Sequence, residues 1–322
     1  MDSALLFPGQ GAQVAGMLHR LPPGPATDRT LAEAAELLGR RVGPGDDGSD
    51  ALDGPTAMAS DTTAVQLALL VAGTATFRTL EERGAAWEQV AGHSVGAFTA
   101  AVAAGVLSFP DALGLVRLRG ESMAELFPPD RGHGMVALTG LPESRVARLA
   151  EASGPEGCRA YPSNVNAPDQ VTVSGPREAL RRVVAAARAA GARKAVALAV
   201  PVPAHCPLMA PVRDRLAAEL RALADAGRLS RPRHGYAADL TGRVLRTARQ
   251  VAEDLAESTA RPVRWHDATT ALYERGVRLF VEAPPGTTLT RLAAGAFPDV
   301  RSLAVAEGGV DSAVVLLGGG RG

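Results

Sequence analysis

Along the chain, apolar and polar positions follow the two periods that separate strands from helices. Residues 4–7, Ala-Leu-Leu-Phe, form a short apolar run cut by Pro8-Gly9 and read as a buried strand. A helix is expected at 30–38, between loops rich in Gly, Pro and Asp at 22–25 and 43–54 that read as exposed. Residues 61–80 read as a long, largely apolar helix with Asp61 or Ser60 as N-cap. A strand at 89–91 runs into Gly92-His93-Ser94-Val95-Gly96. An Ala-rich helix follows to about Val106, and Phe109-Pro110-Asp111 opens another that carries Arg117 and Arg119.

The texture then changes. Strands are expected at 135–139, 170–174 and 194–200, with helices at 143–152 and 177–190 between them. This β-α-β-α-β alternation predicts a compact inserted subdomain. After Pro201 the first texture returns, with helices at 211–224, 251–258 and 265–275, a turn at 239–242 and a strand at 278–282. The fold class is therefore α/β, with a catalytic domain built from 1–130 and 201–322 and an insert at 131–200. The Gly-rich tail after Leu317 is expected to fray.

Composition narrows the function classes. The chain has 322 residues, 46% of them hydrophobic and 21% charged, which is ordinary globular usage. Lys+Arg and Asp+Glu are both 34, so there is no basic excess of the kind nucleic-acid binding requires. Cys158 and Cys206 offer neither metal-ligand spacing nor a disulfide framework, which points to a reducing compartment and no metal. The N-terminus lacks the basic flank of a signal peptide. The most apolar later stretch, 64–77, is interrupted by Gln66, Thr74 and Thr76 and falls short of the roughly 20 residues that span a bilayer. A cytoplasmic protein with no membrane partner is expected.

The chemistry concentrates at Gly92-His93-Ser94-Val95-Gly96. It fits G-x-S-x-G between a strand and a helix, the setting of a nucleophile elbow, whose sharp turn leaves no room for a Cβ two residues either side of the serine. The bland alternative is a Gly-rich turn. Serine needs a base, and His205 lies in a segment stiffened by Pro201, Pro203 and Pro207 that can be neither regular helix nor strand. A structural histidine is the alternative there. His93 is expected to face away from the reacting side. Acyl transfer needs two oxyanion donors: Val95 N–H sits at a helix N-terminus, and the Gly9-Gln10-Gly11 turn could bring a second. Arg117 and Arg119 are two apart on a helix and cannot share a face, so at most one can bind a substrate carboxylate through a planar guanidinium fork.

Together these motifs resemble the malonyl-CoA:acyl carrier protein acyltransferase family. The resemblance is carried by residues 7–13 (FPGQGAQ), 92–96, 117–120 (RLRG), 164–168 (NVNAP), 202–206 (VPAHC), 261–265 (RPVRW) and 284–289 (PPGTTL), in that order. It implies an α/β-hydrolase-like core with a ferredoxin-like α+β insert. It implies Ser94 as the acylated nucleophile, His205 as its base, the N–H groups of Gln10 and Val95 as oxyanion hole and Arg119 as the malonyl-carboxylate site. It also implies a carbonyl at the position of Ser258 to orient the histidine, although Asp111, Asp130 and Asp169 lie between Ser94 and His205. No bound cofactor is implied; a CoA thioester is the substrate and an acyl carrier protein the partner. The chain departs from the usual pattern at Ala97 and Phe98, commonly Glu and Tyr, and at Ser258, commonly Gln. The Ser-Val-Gly-Ala variant and the stretch 260–267 look most like the acyltransferase (epsilon) subunit of malonate decarboxylase, whose carrier bears a modified dephospho-CoA. The expected activity is a ping-pong S-malonyltransferase charging that carrier. The alternatives are a fatty-acid or polyketide malonyl transferase, a serine thioesterase or esterase, and a non-catalytic scaffold.

Overall fold

The structure is a computed structural model that describes residues 2–46 and 51–319. From the N-terminus, β1 (Asp2–Phe7) is followed by α1 (Pro25–Leu38), α2 (Pro55–Ser60), α3 (Thr62–Glu82), β2 (Gln89–Gly92), α4 (Gly96–Ala103) and α5 (Phe109–Leu126). The next segment runs β3 (His133–Thr139), α6 (Glu143–Glu151), β4 (Tyr161–Ala167), β5 (Gln170–Pro176), α7 (Arg177–Ala189) and β6 (Lys194–Ala197). The chain continues through α8 (Ala210–Asp225), β7 (Gly235–Ala237), β8 (Val244–Leu245), α9 (Ala248–Glu257) and α10 (Trp265–Glu274). It ends with β9 (Val277–Glu282), α11 (Thr288–Ala296), β10 (Arg301–Ala304) and α12 (Val305–Leu316).

Two sheets organise these elements. The larger has the order β10-β9-β1-β2-β7-β8, and every pairing except β7 with β8 is parallel. The smaller is antiparallel, order β4-β5-β3-β6, and with α6 and α7 it makes the β-α-β-β-α-β arrangement of a ferredoxin-like unit. Strands β1 and β2 are paired from Ala4 with Gln89 to Phe7 with Gly92, so both end together, and the loops after them open on one side of the sheet. Ligands bind there in open parallel α/β sheets.

Helix α3 is the central support. Asp61 caps it by accepting from the N–H groups of Thr63 and Ala64. With 21 residues it exceeds the apolar stretch read from the sequence and is long and apolar enough to cross a membrane, but 89% of that window is buried inside the protein. Helix α1 starts earlier than expected, because Pro25 fits its first turn without needing an N–H donor.

Within the 43–54 loop, read as exposed, residues 47–50 lie outside the described residues. Ala51, Leu52 and Asp53 are buried, and Asp53 accepts from Leu18 N–H at 2.7 Å. The tail does not fray as far as Gly319: Gly319 N–H donates to Val314 O, and Ala86 N–H to Leu317 O. Residues 320–322 lie outside the described residues.

Several elements had no sequence signal. Strand β4 contains Pro162 and three polar side chains, and its pairing with β5 slips at two places. It is an edge strand, where proline is tolerated. It is also tied to the larger unit, since Val165 N–H donates to Val263 O and Val263 N–H to Ser163 O. Strands β7, β8 and β10 have two to four residues, too few for a period to show. Helices α2, α11 and α12 were likewise unread, α12 being broken at Gly309, whose φ is +77°.

Candidate active site

Ser94 and His205 are the two non-glycine residues with positive φ, +58° and +60°, among the described residues. For L-residues that conformation costs energy and persists only where surroundings over-determine it. At Ser94 the surroundings are glycines and a carboxylate. A Cβ on Gly92 would overlap the Gly96 carbonyl, and one on Gly96 would overlap Phe7 O. A Cβ on Gly9 would come within 2.5 Å of His93 O, so the Gln10 turn rests against the elbow. Ser94 N–H donates to Asp239 Oδ2 at 2.9 Å.

Ser94 Oγ and His205 Nε2 are 2.6 Å apart across 111 residues of sequence. On the far side of the ring, Nδ1 lies 2.5 Å from Ser258 O, and His205 N–H donates to Thr259 O. A carbonyl only accepts, so Nδ1 carries the proton and Nε2 is left to accept from the serine. Burial pushes the imidazole pKa down to about 3, helped by the Arg119 charge and opposed by the Ser258 carbonyl. The ring is thus held neutral.

The three intervening aspartates are not involved. Asp111 pairs with Arg228 and Ser108, Asp169 with Arg193, and Asp130 is exposed.

Arg119 projects from α5 and is 3% exposed, whereas Arg117 lies outside beside Glu121. One guanidinium nitrogen donates to Gln66 Oε1, another to Ser94 Oγ at 3.3 Å, and Nε has no partner among the described residues. Burial lowers the Arg119 pKa to about 10, with Asp239 as the offsetting charge. The group stays cationic at neutral pH with donor capacity unspent.

The backbone N–H groups of Gln10 and Val95 find no acceptor among the described residues, while that of Ser94 is taken by Asp239. Gln10, Ser94, Arg119 and His205 line one cavity of about 490 Å³, whose opposite wall carries Asn164, Asn166, Gln170 and Thr172 from β4 and β5. His93, expected to face away, also lines this cavity, but it is engaged elsewhere than the dyad: its Nε2 lies 3.1 Å from Asn166 Oδ1 and its ring packs edge-on against Trp265. His19, His133, His234 and His266 are not in this cavity. A second cavity of about 610 Å³, between α7 and residues 197–201, contains neither Ser94 nor His205.

Sequence reasoning missed the groups behind the dyad. Asp239 was read only as part of a turn and Asp254 only as part of a helix, yet both are buried behind the elbow. Gln66 did leave a signal, as a polar residue interrupting an apolar helix; in the fold it holds Arg119 in place.

A match to the acyl transferase domain family spans residues 4–312. The malonyl CoA-acyl carrier protein transacylase of Salmonella typhimurium is 36% identical over 291 residues, covering 90% of this chain and 91% of that protein. Among solved structures, a malonyl-transacylase in complex with its type II polyketide synthase acyl-carrier protein superposes with a TM-score of 0.87 at 32% identity, covering 98% of this chain and 99% of that one. The acyl-carrier-protein S-malonyltransferase of Burkholderia pseudomallei gives 0.87 at 31% identity, covering 98% and 100%. The shared fold is a large α/β core with a smaller ferredoxin-like unit. With the family match running nearly end to end and a relative 36% identical over nine-tenths of both chains, this chain belongs to the acyl transferase domain family.

Proposed function

We propose that this chain is a malonyl-CoA:acyl carrier protein S-malonyltransferase working through a malonyl-serine intermediate. Ser94 Oγ attacks the thioester carbonyl of malonyl-CoA while His205 Nε2 takes its proton. The oxyanion is held by the N–H groups of Gln10 and Val95, neither of which has an acceptor among the described residues. The intermediate collapses, CoA leaves as the thiol with the proton from His205, and the malonyl ester remains on Ser94. The free carboxylate of the acyl group pairs with Arg119, whose charge-assisted hydrogen bonds select a dicarboxylic half-thioester. A carrier thiol then attacks the ester, His205 takes the thiol proton and returns it to Ser94. No bound cofactor enters the cycle.

The observation that carries the reading is one contact group: a neutral imidazole 2.6 Å and a buried guanidinium 3.3 Å from the same serine oxygen. The similarity to malonyl transacylases supports it. Purified protein incubated with malonyl-CoA and an acyl carrier protein is expected to yield malonyl-carrier; rapid release of malonate with no acceptor present would make it a thioesterase instead.

A narrower reading assigns the acceptor to the carrier subunit of malonate decarboxylase. It rests on the Ser-Val-Gly-Ala run at 94–97 and on residues 260–267, whereas the relatives named above are malonyl transacylases of acyl carrier proteins. Offering the two purified carriers in competition separates them: transfer only to the dephospho-CoA-bearing carrier supports the narrower reading, and transfer only to the pantetheine-bearing one removes it.

A further inference from the structure

Behind the elbow lies a buried acidic pair that the transfer cycle does not use. Asp239 follows β7, the strand next to the nucleophile strand, and is 1% exposed; Asp254 on α9 is 3% exposed. Asp254 is well supplied with donors: Asp239 N–H and Tyr236 Oη–H to Oδ2 at 3.2 and 3.0 Å, and Leu240 N–H to Oδ1 at 2.8 Å. Among the described residues, the Asp239 carboxyl group accepts one hydrogen bond, from Ser94 N–H.

We propose that Asp239 is a positioning and specificity-setting residue: its carboxyl group ties up the Ser94 amide so that the Gln10 and Val95 amides alone face the oxyanion, and the charge it takes on when the acidic pair fully ionises opposes a substrate carboxylate at Arg119. This inference rests on the malonyl-transfer reading of the site.

The charges decide its sign. Two carboxyl groups buried together do not both ionise readily. Burial and mutual repulsion push Asp239 well above the usual carboxylate range, while Asp254, with three donors, is raised only to about 6. With three donors against one, Asp254 is the carboxyl group better placed to carry the charge, and Asp239 is the one that burial and repulsion hold back from ionising. Of the two carboxyl groups, Asp239 is the one whose charge couples to Arg119. When the pair loses its last proton at higher pH, a second negative charge opposes the malonyl carboxylate.

The other groups facing this cluster hold their state over the neutral to alkaline range. His205 and His93 are pushed down by burial, to about 3 for His205, Tyr236 is pushed well above its usual value, and Arg119 titrates near 10. The malonyl-over-acetyl preference should therefore fall as pH rises below that limit.

The test compares acyl-enzyme formation from malonyl-CoA and acetyl-CoA by wild type, Asp239→Asn and Asp239→Ala across pH. Asn keeps an acceptor for Ser94 N–H but cannot ionise; Ala removes both. Ala is expected to lower the loading rate for both donors by roughly tenfold or more, and Asn to recover most of it. At the alkaline end, Asn should exceed wild type in malonyl-over-acetyl kcat/KM by roughly tenfold, with the pH slope abolished. Equal loss in Ala and Asn would overturn the positioning role, and a wild-type pH slope in Asn would overturn the opposing-charge role. If Ala does not fold, wild type against Asn, with the thermal transition as fold check, decides alone. A wild type that loads neither donor overturns both this inference and the function it rests on.

Discussion

The two walls of the catalytic cavity are built differently. On the core wall, the reacting atoms are fixed through backbone: Ser94 and His205 both sit at positive φ, pinned by Gly9, Gly92 and Gly96 and by the carbonyls of Ser258 and Thr259. On the insert wall, Asn164, Asn166, Gln170 and Thr172 reach in from two strands whose pairing slips twice, and among the described residues the bond between Asn166 and His93 is the one side-chain hydrogen bond from these four to the elbow. Atoms that must meet at bond-making distance are placed by sterics. The wall that receives the rest of the substrate is a sheet face whose side chains can differ without moving the chemistry.

That contrast can be broken first at Ser94. Ser94→Ala should abolish covalent loading altogether, and Gly96→Ala should come close to it, because its Cβ would displace the end of β1. Intact-protein mass after incubation with malonyl-CoA checks both; a loaded Ser94→Ala protein would place the nucleophile elsewhere.

His205→Ala should slow loading by about 10²–10⁴-fold. In wild type, the acid limb of the loading rate should lie far below the ordinary histidine value of 6.5, toward about 3, because the fold holds the imidazole neutral. Rapid-quench rates across pH would show it, and a limb at 6.5 would mean that the imidazole is far better solvated than the structure indicates.

Arg119→Ala should cost malonyl loading about 1.5–3 kcal/mol, roughly 10- to 100-fold, with acetyl loading little affected. Competition between the two CoA esters measures this, and unchanged selectivity would remove Arg119 from acyl recognition. The smallest effect is expected on the insert wall. Asn166→Ala loses one hydrogen bond to His93, about 1 kcal/mol, and should raise KM several-fold while sparing the rate of loading at saturation. A large fall in that rate would erase the distinction between the walls.

How much of this was readable in sequence follows the same division. Gly92, Ser94 and Gly96 were legible because a steric requirement leaves glycine as its trace; the spacing of Arg117 and Arg119 said only that one of them could face the site, and the family resemblance pointed to Arg119. His205 was legible only as an imidazole in a proline-stiffened segment; its partner Ser258 acts through a carbonyl, which any residue could supply. Asp239 was invisible, since an aspartate before Leu240-Thr241-Gly242 reads as a solvated turn, and only the fold shows it buried on Asp254. Strand β4 was missed because Pro162 and its polar run imitate a loop. The long apolar segments, α3 and the strands around the elbow, were read nearly to their ends.

The central claim is that Ser94 carries the acyl group. Protein mixed with malonyl-CoA, quenched in acid, digested and analysed by tandem mass spectrometry should show one malonyl group on the peptide containing Ser94, localised to its hydroxyl. The same mass increase on any other residue, or none while malonyl transfer proceeds, would contradict the account.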